Sequence, residues 1–188
     1  SAYYYFLSAE KKYKTTNDKS NLANTILHKA YILLYEKDFL GSETETIRVL
    51  NIANEINDNS LIYECYVNLG SSLLGLGNFK KALDYHLKAL EKIESVEDKN
   101  YHSILRAQTY NNIGFVYLSM NQFDDAIKNF SLGLKIENIK NLHLVLYTAL
   151  LDNYAYSNFK NKTSSDEKDF IESLKIRDSI NDVAGKVN

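Results

Sequence analysis

Apolar residues recur at intervals of three and four positions through most of the chain, which is the spacing of an amphipathic α-helix. One stripe runs through Ile62, Tyr66, Leu69, Leu73 and Leu76. The dipeptide Gly77-Asn78 interrupts it, and a second stripe begins at Phe79. The same succession returns between residues 104 and 134, with its break at Asn121-Gln122. The pattern predicts that each of these two units is a helix, a tight turn and a second helix.

The two units also agree residue by residue. Residues 66–83 read YVNLGSSLLGLGNFKKAL and residues 110–127 read YNNIGFVYLSMNQFDDAI, and the two stretches align without a gap. A glycine inside a helix costs about 1 kcal/mol relative to alanine, so Gly70 and Gly114 are expected where two helices approach closely. Ala82 and Ala126, in the second helix of each unit, are predicted to be the small residues that face these glycines.

The spacing of these residues resembles the tetratricopeptide repeat, whose signature is an aromatic residue, a Leu-Gly pair, a second aromatic residue, and later an alanine and a third aromatic residue. The matching positions are Tyr66, Leu69, Gly70, Leu73, Ala82 and His86 in one unit, and Tyr110, Ile113, Gly114, Tyr117, Ala126 and Phe130 in the other. Leu73 and His86 depart from the aromatic preference, and the proline that ends such repeats is missing. The resemblance implies an all-α fold, a right-handed superhelical array of antiparallel helix pairs with about nine helices.

The remaining chain follows the pattern less closely and is predicted to complete a single array over residues 1–188. Its predicted parts are a second helix of a preceding repeat at 1–18, repeats at 20–57, 59–97, 99–138 and 140–180, and the start of a further repeat at 181–188. Neither end carries a polar capping repeat, so the sequence is expected to be a piece of a longer array.

Two details of the repeat boundaries are predicted from local signals. Residues 42–45 and 164–167 have the spacing of capping boxes, which would start the second helices there and lengthen the loop around residues 39–41. The repeats are about 40 to 44 residues apart rather than 34. The surplus is expected between the second helix of one repeat and the first helix of the next, as at residues 94–102.

The amino-acid composition excludes several folds and functions. The chain has no proline and seven glycines in 188 residues, which argues against a β-rich fold because turns between strands normally use both. The net charge is −2 and no basic block is present, so nucleic acid is not expected as a partner. No apolar run reaches the roughly 20 residues that cross a bilayer, so this chain is not expected to insert into a membrane.

No catalytic or metal-binding constellation is evident, and we expect neither a cofactor nor enzyme activity. The four histidines are far apart, and none has another His or Cys at ligand spacing. His86 is interpreted as a residue at the edge of the core, and Cys65 as a small buried hydrophobe. Asp124 and Asp125 begin a predicted helix, where two carboxylates complement the helix dipole.

The concave side of the array is the remaining candidate for binding, because the first helices of stacked helix pairs line it. The positions beside the Leu-Gly pair are Asn68 and Ser71, then Asn111, Asn112 and Phe115, then Asp152, Asn153 and Tyr156, with His28 and Tyr31 upstream. Asn68, Asn112 and Asn153 are equivalent, and the resemblance implies that Asn at this position contacts a ligand. A side-chain amide both donates and accepts, so such amides can hold an extended peptide backbone. The alternative is that these amides bond within the scaffold or face water.

Two interpretations of the whole protein therefore stand side by side. One is a module that binds a peptide or protein segment. The other is a structural scaffold that mediates self-association, for example as a homodimer, or the assembly of a complex. The aromatic residues 3–6 at the start of the chain favour self-association.

The larger context rests on a second resemblance. Residues 152–157 followed by 174–180 resemble the repeat regions of membrane-anchored sensor histidine kinases and related regulators of Bacteroidetes. That resemblance implies the sensory or interaction part of a bacterial signalling protein, with a periplasmic location favoured and a cytoplasmic one as the alternative.

Overall fold

The computed structural model of the protein describes residues 2–95, 98–161, 168, 170–172 and 174–178. Within these ranges the backbone forms helices joined by short turns and contains no strand, which confirms the all-α class. The chain divides into two compact units, Ser1–Val96 and Glu97–Asn188, which we call unit 1 and unit 2 and describe separately.

Unit 1 is a succession of helices that pack against their neighbours in the chain. The helices are α1 (Ala2–Thr15), α2 (Lys19–Tyr35), α3 (Phe39–Glu55), α4 (Asn59–Gly75) and α5 (Phe79–Lys92), followed by a 3₁₀ turn (Ile93–Ser95). Each helix packs against the next, and α2 also contacts α4. Helices joined by short turns are necessarily antiparallel, so α2 with α3 and α4 with α5 form two hairpins. Their core includes Ala23, Leu27, Val49, Ala53 and Cys65.

The turns of unit 1 share one construction. Asp18, Asp38 and Asp58 each accept a hydrogen bond from the backbone N–H three residues ahead, which caps the following helix. The residue before each cap has a positive φ, as does Gly77 before Asn78. These caps recur every 20 residues because each helix of 17 residues is followed by a turn of three.

One prediction about boundaries is wrong and a second is incomplete. Helix α3 begins at Phe39 rather than after a long loop, because Asp38 already caps it by accepting from the Gly41 N–H at 2.9 Å. Ser42, predicted to start that helix, lies inside it and is buried. The surplus length of the repeats lies partly in the helices, since α2, α3 and α4 have 17 residues each and α6 has 21. The rest lies between repeats, as predicted, because α5 ends at Lys92 and α6 begins at Lys99, while α7 ends at Leu134 and α9 begins at Leu144.

Unit 2 repeats the hairpin once and extends it. Its helices are α6 (Lys99–Ser119), α7 (Phe123–Leu134), the short α8 (Ile139–Leu142) and α9 (Leu144–Asn161). Helix α7 packs between α6 and α9, and the core gathers Ala107, Ala126, Phe130, Ile139 and Leu150. The backbone is again helical at the described residues 170–172 and 174–178. The predicted capping box at 164–167 and the predicted further repeat at 181–188 lie outside the described residues.

The predicted close approach at the two glycines is present, but its partner is a ring. A Cβ on Gly70 would lie 2.5 Å from Cε1 of His86, and a Cβ on Gly114 would lie 2.6 Å from Cε1 of Phe130. His86 was expected at the core edge and is instead fully buried. Each glycine therefore leaves room for a ring of the second helix. This ring lies one turn beyond the buried Ala82 in α5 or Ala126 in α7.

Candidate functional site

The side chain of Asn68 lies inside unit 1 rather than on an exposed face. Its Nδ2 donates to Ser42 Oγ at 3.0 Å and to Thr46 Oγ1 at 2.6 Å, and only 1% of the residue is exposed. Thr46 donates its own proton to the Ser42 carbonyl at 2.7 Å, so its oxygen must accept from the amide. Asn68 therefore bonds within the scaffold, and the expectation that it faces an open groove is corrected.

Ser71 is half-buried and donates to the carbonyl of Val67 at 3.0 Å, which ties it to its own helix. The neighbouring Ser72 joins the buried polar cluster instead, with its Oγ 3.0 Å from Ser42 Oγ. Ser42 and Thr46 place hydroxyls on α3 at the positions that Ala82 and His86 occupy on α5. These hydroxyls explain why the Asn68 amide turns inward, since they accept from its Nδ2, while its buried Oδ1 has no hydrogen-bond partner among the described residues.

His28 and Tyr31 stand together on the surface of unit 1. The His28 ring is nearly parallel to Phe6, with 6.4 Å between ring centroids, and meets Tyr31 edge-on at 6.3 Å. The Tyr31 hydroxyl donates to Glu64 Oε2 at 3.0 Å. Burial of the hydroxyl and the adjacent Glu64 carboxylate raise the pKa of Tyr31. We call Phe6, His28, Tyr31 and Glu64 the aromatic patch.

In unit 2 the predicted residues of α6 and α9 form a second surface. Nδ2 of Asn153 donates to Oδ1 of Asn111 at 2.9 Å, which links the two helices. Asn112 is half-buried and makes no side-chain hydrogen bond to another described residue. Phe115 is 44% exposed and Tyr156 is 43% exposed, with Lys160 Nζ 5.4 Å from the Tyr156 ring centroid. We call Asn111, Asn112, Phe115, Asn153 and Tyr156 the amide face.

Asp152 has a structural partner. Its Oδ2 pairs with Nη2 of Arg177, so the carboxylate holds the helical segment at 174–178 against α9. Its Oδ1 is buried and has no hydrogen-bond partner among the described residues. The side chain is therefore an anchor between helices, and it is not a member of the amide face.

Burial keeps two titratable side chains of unit 1, His86 and Cys65, neutral. Desolvation lowers the pKa of His86 to about 4, and burial with help from the charges of Glu64 and Asp58 raises the pKa of the Cys65 thiol to about 12. Cys65 is thus a buried, protonated thiol, as predicted, and not a nucleophile. Asp124 and Asp125 lie in the first turn of α7, the place where carboxylates complement the dipole. Among the described residues no three His, Cys, Asp or Glu side chains gather at a metal-binding distance.

None of the helices that the structure describes combines the length and the apolar character that a bilayer-spanning segment requires.

Hairpins of long helices that follow one another along the chain are typical of the α-solenoid repeat proteins. Within that class, the sequence model of the tetratricopeptide repeat matches residues 65–136, a stretch that runs from α4 into the turn after α7. The predicted resemblance to tetratricopeptide repeats is confirmed over this stretch. Repeats of this fold serve protein–protein interaction or scaffolding and are generally not catalytic.

Solved structures share the fold of the chain at low sequence identity. BtubC (BKLC) from P. vanneervenii is 19% identical with a TM-score of 0.73, covering 87% of this chain and 66% of its own. The apo form of RapI is 23% identical with a TM-score of 0.76, covering 93% of this chain and 47% of its own. MamA is 17% identical with a TM-score of 0.59, covering 92% and 90%. These similarities establish the helical-repeat fold alone.

One curated relative is similar in sequence. It is eukaryotic translation initiation factor 3 subunit L of Nematostella vectensis, which is 32% identical over 133 residues. The match takes in 67% of this chain, and the chain spans about a quarter of that protein's length, 25%. The resemblance to bacterial sensor kinases is not among these similarities and stays a prediction.

Proposed function

We propose that the protein is an interaction module that binds an extended peptide segment on the amide face of unit 2. The observation that carries the proposal is the pairing of two exposed rings with side-chain amides on adjacent helices. Phe115 lies one helical turn beyond Asn111 on α6, and Tyr156 lies one turn beyond Asn153 on α9. Each helix therefore offers one apolar contact and one polar contact to the same ligand.

The polar contacts suit a peptide backbone. The Asn153–Asn111 hydrogen bond uses one amide proton and one carbonyl, and it leaves the Nδ2 of Asn111 and the Oδ1 of Asn153 for a ligand. Asn112 adds both a donor and an acceptor. Backbone N–H and C=O groups are common to all peptides, so amides of this kind bind an extended segment without selecting its sequence.

The apolar contacts would then supply selectivity. Aromatic side chains bury large areas at low conformational cost and dominate the energetics of many interfaces. We infer that the preferred segments carry an apolar side chain beside each ring. Loss of Phe115 should cost more affinity than loss of any single amide, because the truncation removes buried area that water cannot replace.

A selection experiment tests the proposal. A random peptide library is panned against the chain, and the affinity of selected peptides is measured by fluorescence anisotropy for wild type and for the double variant Asn112→Ala with Phe115→Ala. We expect the double variant to bind at least about tenfold more weakly with an unchanged far-UV spectrum. Tyr35→Ala, at a residue that is 89% exposed in unit 1, is the control and should bind normally. Equal affinity of the double variant, or no enrichment at all, would refute the proposal.

Self-association is the second candidate function. Tyr5 is 75% exposed and Leu7 is 46% exposed on α1, so this helix presents apolar side chains that a second copy could cover. Light scattering across a concentration series should then show a dimer in wild type and a monomer in Tyr5→Ser with Leu7→Ser. A wild-type chain that stays monomeric at every concentration would exclude this role.

The larger context is also a proposal. We infer a module within a larger bacterial signalling protein, and the resemblance of residues 152–157 and 174–180 to sensor kinase repeat regions supports it. The sequence of the full open reading frame tests this inference. A transmembrane helix and a kinase domain after the repeats would support it, and an open reading frame without an effector domain would refute it.

A further inference from the structure

We propose that the aromatic patch of unit 1 binds an arginine side chain of a partner segment. The proposal goes beyond the proposed function, since it concerns a second surface, in unit 1, and does not require that the amide face of unit 2 binds the same segment. The four residues come from three helices: Phe6 from α1, His28 and Tyr31 from α2, and Glu64 from α4. Three elements of the fold thus converge on one surface position.

The rings offer the faces that a guanidinium requires. Phe6 and His28 are parallel within 13° at a centroid distance of 6.4 Å, and Tyr31 stands at 74° to His28 at 6.3 Å. A planar cation stacks favourably on such faces, because aromatic rings are electron-rich above their plane. His28 is exposed and Phe6 is half-buried, so a ligand can approach the rings from solvent.

The tautomer of His28 favours the same ligand. Its Nδ1 lies 2.7 Å from the carbonyl oxygen of Asn24, and a carbonyl can only accept, so this nitrogen carries the proton. In the neutral ring Nε2 is then an acceptor. A guanidinium, which has five donors and no acceptor, can donate to that nitrogen.

Glu64 supplies a charge that no described residue neutralises. Its Oε2 accepts from the Tyr31 hydroxyl, and none of the ion pairs among the described residues includes it. Lys29, the cation next to His28 in the sequence, is turned away: its ammonium is buried and lies 2.6 Å from Oε1 of Glu45. A cation over the Tyr31 ring would therefore meet the Glu64 carboxylate, while the neighbouring Lys29 ammonium is paired with Glu45.

Arginine fits this arrangement better than lysine. Its flat guanidinium stacks on rings and carries several donors, whereas the ammonium of lysine is a compact and strongly hydrated point charge. A neutral side chain of the same shape would keep the stacking and lose the attraction to Glu64. The comparison of arginine with citrulline, its uncharged isostere, therefore isolates the contribution of the charge.

The test is an NMR titration of the ¹⁵N-labelled full chain with Nα-acetyl-arginine methylamide and with the citrulline counterpart, each to about 10 mM. We expect saturable shifts at amides around His28, Tyr31 and Glu64 with arginine, and at least about fivefold weaker binding of citrulline. Glu64→Gln should weaken arginine binding by a similar factor. Glu91→Gln, at an exposed carboxylate of α5, is the matched control and should bind as wild type.

A second pair of variants guards against a change in folding at Glu64. Tyr31→Leu removes a ring of the patch, while Tyr35→Leu removes the exposed ring one turn further along the same helix. Only the first should reduce arginine binding, again at least about fivefold. Equal binding of arginine and citrulline, no saturable shift in unit 1, or equal effects of the two Tyr variants would overturn the proposal.

Failure here is distinguishable from failure of the proposed function. Library-selected peptides report on the amide face through the side-chain amide signals of Asn112 and Asn153, which lie in unit 2. If those signals shift with a selected peptide while arginine leaves unit 1 unchanged, the arginine site is refuted and the amide face stands. If selection yields no peptide and arginine still binds, the amide face is refuted alone.

Discussion

The α4–α5 and α6–α7 hairpins share the same eighteen-residue pattern, yet they bury different rings three residues after it. His86 covers Gly70 in the first hairpin, and Phe130 covers Gly114 in the second. Both rings are fully buried, but the imidazole is polar and its Nδ1 has no hydrogen-bond partner among the described residues. The repeat therefore fixes the shape of this position and leaves its chemistry variable.

A second difference concerns the equivalent asparagines. Asn68 is bonded to hydroxyls of α3 and is buried, while Asn153 is half-buried and bonded to Asn111 of α6. The residue on the facing helix decides which role the amide takes. Of the three equivalent asparagines, Asn112 and Asn153 stay partly accessible to solvent, whereas Asn68 does not. The following predictions use these two differences, beginning with the largest expected effect.

Enlarging the glycine under the ring should cost the most stability. Gly114→Val places a branched side chain where a Cβ alone lies 2.6 Å from Phe130, so we expect a loss of about 3 kcal/mol in the free energy of unfolding. Urea denaturation followed by circular dichroism measures it. Lys128→Ala on the exposed face of α7 is the control, and adding Phe130→Ala should make the Gly114→Val change less costly. A loss of under about 0.5 kcal/mol would contradict the close approach.

Replacing His86 by the residue of the other hairpin should remove an acid sensitivity. Because the folded pKa of His86 is about 4, below its usual 6.5, the unfolded state binds more protons between these pH values. Stability should thus fall as the pH drops from about 6.5 to 4, by up to about 3 kcal/mol. His86→Phe should flatten this window. The free energy of unfolding, measured at both pH values, tests this prediction. An equal dependence on pH in variant and wild type would argue against burial of neutral His86.

A separate acid effect should survive that substitution. Burial alone would raise the pKa of Glu10, but hydrogen bonds from Lys14 and Arg48 outweigh it and lower the pKa. Its contribution is present above the unfolded pKa of 4.5 and is lost as the pH falls below that value. Glu10→Gln should therefore lower stability above pH 4.5, remove the loss that wild type shows as the pH falls below that value, and leave the His86 window unchanged.

Alanine substitutions of the buried and the half-buried asparagine should differ in their effect on the free energy of unfolding. Asn68→Ala removes two buried hydrogen bonds, so we expect a loss of about 2 kcal/mol. Asn112→Ala should stay within about 0.5 kcal/mol of wild type, because it makes no side-chain hydrogen bond to a described residue. Thermal or urea unfolding of both variants is the measurement. Similar losses for the two would mean that Asn112 also belongs to the scaffold.

Substitution of helix-capping residues should give the smallest difference in the free energy of unfolding. Asp58→Ala is expected to cost about 1 kcal/mol, since its carboxylate accepts from the Leu61 N–H at 3.0 Å. Asn78→Ala should cost less than half of that, because Asn78 makes no side-chain capping bond. Equal costs in urea denaturation would show that the cap hydrogen bond contributes little in unit 1.

The helix pairs could be predicted because the apolar stripe, its interruption and the small residues are local features of the sequence. Gly77 and Asn121 lie just after the ends of their helices and have positive φ, as expected of such interruptions. The direction in which a side chain points could not be predicted from the sequence. Asn68 turns inward because of Ser42 and Thr46 on another repeat, which comparison of aligned positions does not reveal. The start of α3 was missed because the capping-box spacing at 42–45 competes with the Asp38 cap. The recurrence of Asp18, Asp38, Asp58 and Asp98 in register would have located it.

The most direct test of the central claim is the ratio of two dissociation constants for one library-selected peptide. Phe115→Ala alters the amide face, and Tyr35→Ala removes a more exposed ring of unit 1. We predict that Phe115→Ala raises the dissociation constant at least about fivefold while Tyr35→Ala leaves it unchanged. Equal constants for the two variants would contradict a peptide-binding role for the amide face.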